Sequence, residues 1–162
     1  MIRVNETVII RAAPTHVWHK IADYAFDEQW RDGLIEMKAT PPGPAALGTR
    51  VSEVLQRGGR TYVGTTTVDE IEPGVGYGFS GEGPSGRITG SRTVQPGSIR
   101  GTTEFTYAFD LQPGLFIRAL GPIATRIARS AMKRDLATLR TILEHEVRFP
   151  SNTLLPDADS RE

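Results

Sequence analysis

The chain is 162 residues long, 38% hydrophobic and 23% charged, which is enough for one hydrophobic core and ordinary for a globular domain. Its 19 basic residues equal its 19 acidic ones, so no general field draws it to nucleic acid or to an anionic membrane. It has no cysteine, which excludes a disulfide framework, a zinc–thiolate site and a thiol nucleophile.

The start, Met1-Ile2-Arg3-Val4-Asn5-Glu6, turns polar at once and carries no apolar signal core. No apolar run approaches the roughly 20 residues that cross a bilayer, so a cytoplasmic protein without integral membrane contact is expected. The first strand places Val4, Val8 and Ile10 on one face with Glu6 among them, a period of two. Pro14 suits the first turn of a helix, and Val17, Trp18 and Ile21 follow at helical spacing. Asp23 can cap a second short helix that ends near Trp30. Pro41-Pro42-Gly43-Pro44 marks a breaker-rich loop over 39–47.

Strands are predicted next over 48–57, 60–71, 75–81, 86–95 and 99–111. Gly58-Gly59 reads as a two-residue hairpin turn, and Glu72-Pro73-Gly74 and Gln95-Pro96-Gly97-Ser98 as longer turns. Helical spacing then holds from about Gly114 to Glu146. Its apolar stripe is read as Leu120, Ile123, Ile127, Ala131, Leu136, Leu139, Ile142 and Leu143, with arginines on the other faces. Gly121-Pro122 should kink or restart this helix. One domain over 1–146 is expected, with a loosely ordered tail over 147–162 that has two prolines and no periodicity. Consecutive hairpins covered by one long helix make an α+β architecture, and a curled sheet would leave a hollow under the helix.

Several pieces carry a family resemblance. They are Ala13-Pro14, Val17-Trp18, Ile21-Ala22-Asp23, Trp30, Gly48-Thr49-Arg50, Gly59-Arg60, Ile71-Glu72-Pro73, Gly101-Thr102 and Arg134-Asp135-Leu136 with Leu139. In this order and spacing the chain resembles the START-like, Bet v 1-like (SRPBCC) superfamily, in its polyketide cyclase/dehydrase and lipid-transport-like branch. The resemblance covers about residues 3–146. It implies a helix-grip fold: a curved antiparallel sheet of about seven strands wrapped on the last helix, with two short helices after the first strand. A cavity between sheet and helix is implied as well. Because one fold hosts many functions, function has to be argued from the site.

Strand alternation proposes the lining of that cavity. Phe105, Tyr107, Phe109 and Leu111 share one face of the last strand, as Tyr77 and Phe79 do in theirs. Val51 and Leu55 carry Glu53 inward, and Ile88 and Val94 carry Arg92 inward. Tyr62 joins the set across an expected bulge, and Ile123 and Ile127 contribute from the helix. The ligand-binding set is therefore Tyr62, Tyr77, Phe79, Arg92, Phe105, Tyr107, Phe109, Ile123 and Ile127. An apolar lining with few polar groups is what small-molecule sites look like.

Arg92, Tyr107, Tyr77 and Glu53 are the candidates for chemistry. An inward tyrosine is also ordinary core filler, and Arg92 and Glu53 can simply neutralise each other. His16 and His19 lack the third ligand of a metal site and read as surface histidines. The glycine-rich stretch 74–90 lacks the lysine and the strand-to-helix setting of a phosphate loop. No metal, cofactor or nucleotide is expected. The first functional expectation is a binder of a hydrophobic small molecule: a lipid, polyketide or aromatic metabolite. The alternative, which the resemblance implies, is a cyclase or dehydratase. It would fold a poly-β-ketone chain in the cavity, with Arg92 stabilising an enolate or alkoxide and Tyr77, Tyr107 or Glu53 moving protons. A protein-interaction module, using the arginines of the last helix, is the second alternative.

Overall fold

A computed structural model describes residues 1–83, 86–112 and 121–150. Strand β1 (Ile2–Ile10) leads into helix α1 (Pro14–Ile21) and a 3₁₀ segment (Tyr24–Gln29). Six strands follow: β2 (Leu34–Thr40), β3 (Arg50–Arg57), β4 (Arg60–Glu72), β5 (Gly76–Gly83), β6 (Gly86–Pro96) and β7 (Thr103–Gln112). Helix α2 (Gly121–Arg148) comes last. The seven strands form one antiparallel sheet in the order β1-β7-β6-β5-β4-β3-β2, as the helix-grip reading expects.

Local chemistry explains most boundaries. Pro14 opens α1 in the first turn, where its missing N–H costs nothing. The Asp23 carboxylate accepts the Ala25 N–H and caps the 3₁₀ segment, which ends against Trp30. Gly58 and Gly59 adopt φ of +57° and +73°, which the two-residue turn joining β3 to β4 requires. The bulge in β4 lies between Val68 and Glu70, where it keeps both Val68 and Ile71 on the inner face, so Tyr62 shares that face with Val68 without the bulge the sequence suggests between them.

Three sequence expectations need correction. Strand β2 has no counterpart among the predicted strands, and Ala39 and Thr40 belong to it rather than to a loop. A register shift between Leu34 and Glu36 breaks its period of two and leaves Ile35 55% exposed, so the apolar pattern is lost. Strand β7 begins at Thr103, not Ile99, because the Ile99 carbonyl accepts the Thr102 N–H and hydroxyl in a tight turn. In α2 the buried stripe runs through Ala131, Met132, Leu136, Leu139 and Leu143, with Ala124 and Ala128 partly buried. Ile123 and Ile127 sit one residue off that stripe, about 100° around the helix, and are 61% and 64% exposed.

The helix runs two residues past the expected Glu146, and Pro122 sits in its first described turn. The expected helical residues 114–120, Arg118 and Leu120 among them, lie outside the described residues, as does the tail from 151. Along β1, α2 is held by Glu6 to Arg129 at 3.1 Å and to Lys133 at 3.8 Å, and by the Arg11 N–H to Glu144 at 3.0 Å. Glu146 holds His16 and Lys20 of α1. On the opposite side Asp135 takes the Asp32 N–H at 3.1 Å and Arg57 at 2.9 Å. No helix among the described residues is long and apolar enough to cross a membrane.

The Asp135 contact yields a pH prediction. Burial raises its carboxyl above the ordinary value of 3.8, against the Asp32 N–H and Arg57, which pull it down. A raised acid binds its proton more tightly folded than unfolded, so its contribution to stability falls as pH rises from 3.8 through the folded value. Asp135→Asn keeps an acceptor for Asp32 and should flatten that fall, read as urea-unfolding free energy against pH. An unchanged slope would refute the assignment.

Candidate functional site

Cross-strand register assembles the inner face in rows. The first is Val8–Phe105–Val94, followed by Glu6–Tyr107–Arg92–Tyr77–Ile71. Next come Val4–Phe109–Gly90–Phe79–Val68 and Leu111–Ile88–Gly81–Thr66–Val51. Every inward strand residue proposed from alternation falls on these rows or on the adjoining Glu53–Gly64 and Leu55–Tyr62 pairs. Gly90 is where the Phe79 ring lies, and a Cβ there would collide with it.

The face divides into two parts. In one part Val51, Val68, Tyr77, Phe79, Arg92, Val94, Phe105 and Tyr107 are buried, with α1 packed on β6 and β7 and the 3₁₀ segment reaching Arg92 through Asp27. Beyond them Leu55, Gly64, Gly81, Ile88, Phe109 and Leu111 are only partly covered, and Tyr62 at the margin is 38% exposed. Tyr62, Ile123 and Ile127 therefore border any hollow rather than line an enclosed one.

Arg92 is the least expected member of the buried part. It is 1% exposed and points inward as the register requires, but its partner is Asp27, not Glu53. Its Nη1 donates to Asp27 Oδ1 at 2.8 Å and to the Ile21 carbonyl at 3.2 Å, and its Nη2 donates to Asp27 Oδ2. The Tyr107 ring lies 4.6 Å from the guanidinium carbon, Tyr24 and Trp30 at 5.5 Å and Tyr77 at 6.0 Å, an aromatic box that favours the cation. The pairing continues outward. Arg31 lies 3.5 Å from Asp27 Oδ2 and donates to Glu53 Oε2 at 2.9 Å. Side-chain exposure climbs along the chain from 0% at Asp27 and 1% at Arg92 to 10% at Arg31 and 29% at Glu53. Two cations and two anions thus neutralise one another.

Electrostatics fixes the protonation of this part. Burial works against the charge on Arg92, but Asp27 and the surrounding tyrosines outweigh it, so the guanidinium pKa is raised. Arg31 is raised too: burial opposes its charge, and Tyr107, Glu53 and Asp27 overcome it. Burial pushes the Tyr24 phenol up to about 12 and that of Tyr77 well above 10. Tyr77 also donates to the Ile21 carbonyl at 3.1 Å. It is therefore a neutral donor already engaged, unsuited to act as a base. The buried Arg92 Nε and Trp30 Nε1 have no hydrogen-bond partner among the described residues. The Tyr107 hydroxyl makes no hydrogen bond among them either.

Sequence reasoning misses Asp27 and Arg31. A signal is present: Tyr24, Asp27 and Trp30 recur every three residues, the 3₁₀ period, so an acid sits between two buried aromatics on one face. His16 faces Glu146 at 3.1 Å, His19 is exposed, and no group of three or more His, Asp or Glu among the described residues could hold a metal. An open groove of about 960 Å³ runs between β1 and the C-terminal half of α2 and meets the edge of the inner face at Glu6 and Val8. Its acids Glu6 and Glu144 are engaged by Arg129, Lys133 and Arg140, and it contains none of the four charges described above.

Residues 1–144 match the profile of a family described as polyketide cyclase / dehydrase and lipid transport. A search of curated proteins finds no match. Similar solved structures include TTHA0849 from Thermus thermophilus, with a TM-score of 0.68 and 17% identity over 92% of this chain and 99% of that one. The di-domain ARO/CYC BexL from the BE-7585A biosynthetic pathway aligns with a TM-score of 0.67 and 16% identity. That alignment covers 94% of this chain and 48% of BexL. Ara h 8.0201 aligns with a TM-score of 0.63 and 8% identity over 87% of this chain and 96% of the other. At these identities the likeness establishes the fold alone.

Proposed function

Because the chain belongs to the polyketide cyclase/dehydrase and lipid-transport family, we propose that its domain over 1–146 binds a hydrophobic small molecule, a lipid, polyketide or aromatic metabolite, between sheet and last helix. One observation carries this reading. The inner face continues past its buried part into an apolar surface, Leu55, Ile88, Phe109 and Leu111, that is only partly covered. A sheet face that is apolar yet incompletely packed favours an apolar guest, at roughly 25 cal/mol per Å² removed from water.

The committed state of the polar groups argues for binding ahead of catalysis. Arg92, Tyr77 and Glu53 are held by protein partners, so an enolate or alkoxide would have to displace Asp27 to reach the terminal nitrogens of Arg92. Tyr107 is the group left for a cyclase or dehydratase, and that second reading rests on its hydroxyl together with the family. The test of binding is titration with N-phenyl-1-naphthylamine, an uncharged dye that fluoresces in apolar surroundings. Wild type should bind it, and Ile88→Trp, which fills the partly covered surface, should weaken binding by about tenfold or more. Absence of binding, or a variant that binds as well as wild type, would overturn the proposal.

A further inference from the structure

We infer that this inner face selects uncharged ligands and rejects anionic ones, a conclusion that rests on the binding role proposed above. A buried arginine in an apolar site is ordinarily the anchor for a carboxylate or phosphate. Here that role is taken within the chain. Asp27 accepts from both terminal nitrogens of Arg92 and faces Arg31, which also holds Glu53. To reach the terminal nitrogens of Arg92 or the Arg31 guanidinium, an anionic ligand would have to replace Asp27 or Glu53, and the Arg92 N–H left without a partner, on Nε, is sealed in a side chain only 1% exposed. Displacing either would strip a carboxylate of its hydrogen-bonded partner, and in the case of Asp27, which is 0% exposed, would leave a buried charge with only Arg31, 3.5 Å away and shared with Glu53. An anion placed beside the set without displacing it meets Glu53 first, because Glu53 is the most exposed of the four charges. Desolvation and repulsion both act against it. A neutral ligand avoids both costs, and the Tyr107 hydroxyl, without a hydrogen bond among the described residues, can donate to a carbonyl or ether oxygen or accept from a hydroxyl.

The test compares two dyes that share one aromatic framework, N-phenyl-1-naphthylamine and its sulfonated counterpart 1-anilinonaphthalene-8-sulfonate, in wild type, Ile88→Trp and Glu53→Gln. Wild type should hold the uncharged dye at least about tenfold more tightly at the site that Ile88→Trp blocks. Glu53→Gln leaves Arg31 and Arg92 to share Asp27, one positive charge in excess at the margin. It should raise sulfonate affinity several-fold, so that the ratio of the two affinities narrows. Wild-type binding of the sulfonate as tight as that of the neutral dye, lost in Ile88→Trp, would overturn the inference and leave the binding role standing. A ratio unchanged by Glu53→Gln would also overturn it, since the paired charges would then not be the source of selectivity. Failure of the neutral dye to bind would instead remove the binding role, and this inference with it.

Discussion

Arg92→Leu is expected to destabilise the fold by about 3–5 kcal/mol, the cost of removing one partner from a buried ion pair. The loss comes from what remains. Asp27 is fully buried and would keep only Arg31, at 3.5 Å and shared with Glu53. Asp27→Leu should cost a comparable amount, because it leaves the Arg92 guanidinium with only the Ile21 carbonyl and the faces of four rings. The double variant Arg92→Leu with Asp27→Leu should recover most of either loss, since a buried pair replaced by apolar side chains of similar volume is often neutral for stability. Arg92→Lys should fall between, because an ammonium keeps the charge and loses the two-pronged contact with the carboxylate. Urea denaturation of the four variants at one pH measures the coupling. If the double variant loses the sum of the two single losses, Arg92 and Asp27 do not act as a unit and the description of the buried part fails.

That cycle also shows where sequence reasoning stops. Strand alternation is local, so it carries Arg92, Tyr77, Phe105 and Tyr107 to the inner face from their own neighbours. The partner of Arg92 lies 65 residues away on a different element, and no period links the two positions. Alternation finds only the inward acids of the sheet, Glu6 and Glu53, and no local rule places the 3₁₀ segment over β6. The fold is legible for a related reason. Gly58-Gly59, the turn at Pro73-Gly74 and the Pro14 helix start are local signals that agree with one another. Strand β2 is illegible because it is an edge strand whose shifted register at Leu34 and Glu36 hides the alternation that other strands display. The apolar character of the inner face can be read from the strands alone. How much of it is already filled by the chain itself depends on α1 and the 3₁₀ segment, whose packing is a tertiary fact.

The last helix offers the second large effect and a direct test of its register. Leu139 is 0% exposed at the centre of the buried stripe, and Leu139→Ala should cost about 2–5 kcal/mol through lost burial and the cavity left behind. Ile127→Ala removes a side chain of similar size from the same helix, yet Ile127 is 64% exposed and should cost no more than about 0.5 kcal/mol. A stripe drawn from sequence alone gives the two residues equal standing, so the contrast separates the two registers. It arises because Ala124 and Ala128, not Ile123 and Ile127, continue the row of Met132, Leu136, Leu139 and Leu143 toward the helix start. Denaturation midpoints measure both losses. A large loss for Ile127→Ala would mean the helix is rotated toward the sequence-based stripe, and the inner face would then be more fully covered than described. Titrating Ile127→Ala with the uncharged dye adds the functional half of the test. Weaker dye binding at undiminished stability would mean that Ile127 reaches the guest from the margin of the helix, the ligand-binding role its position in the sequence suggests.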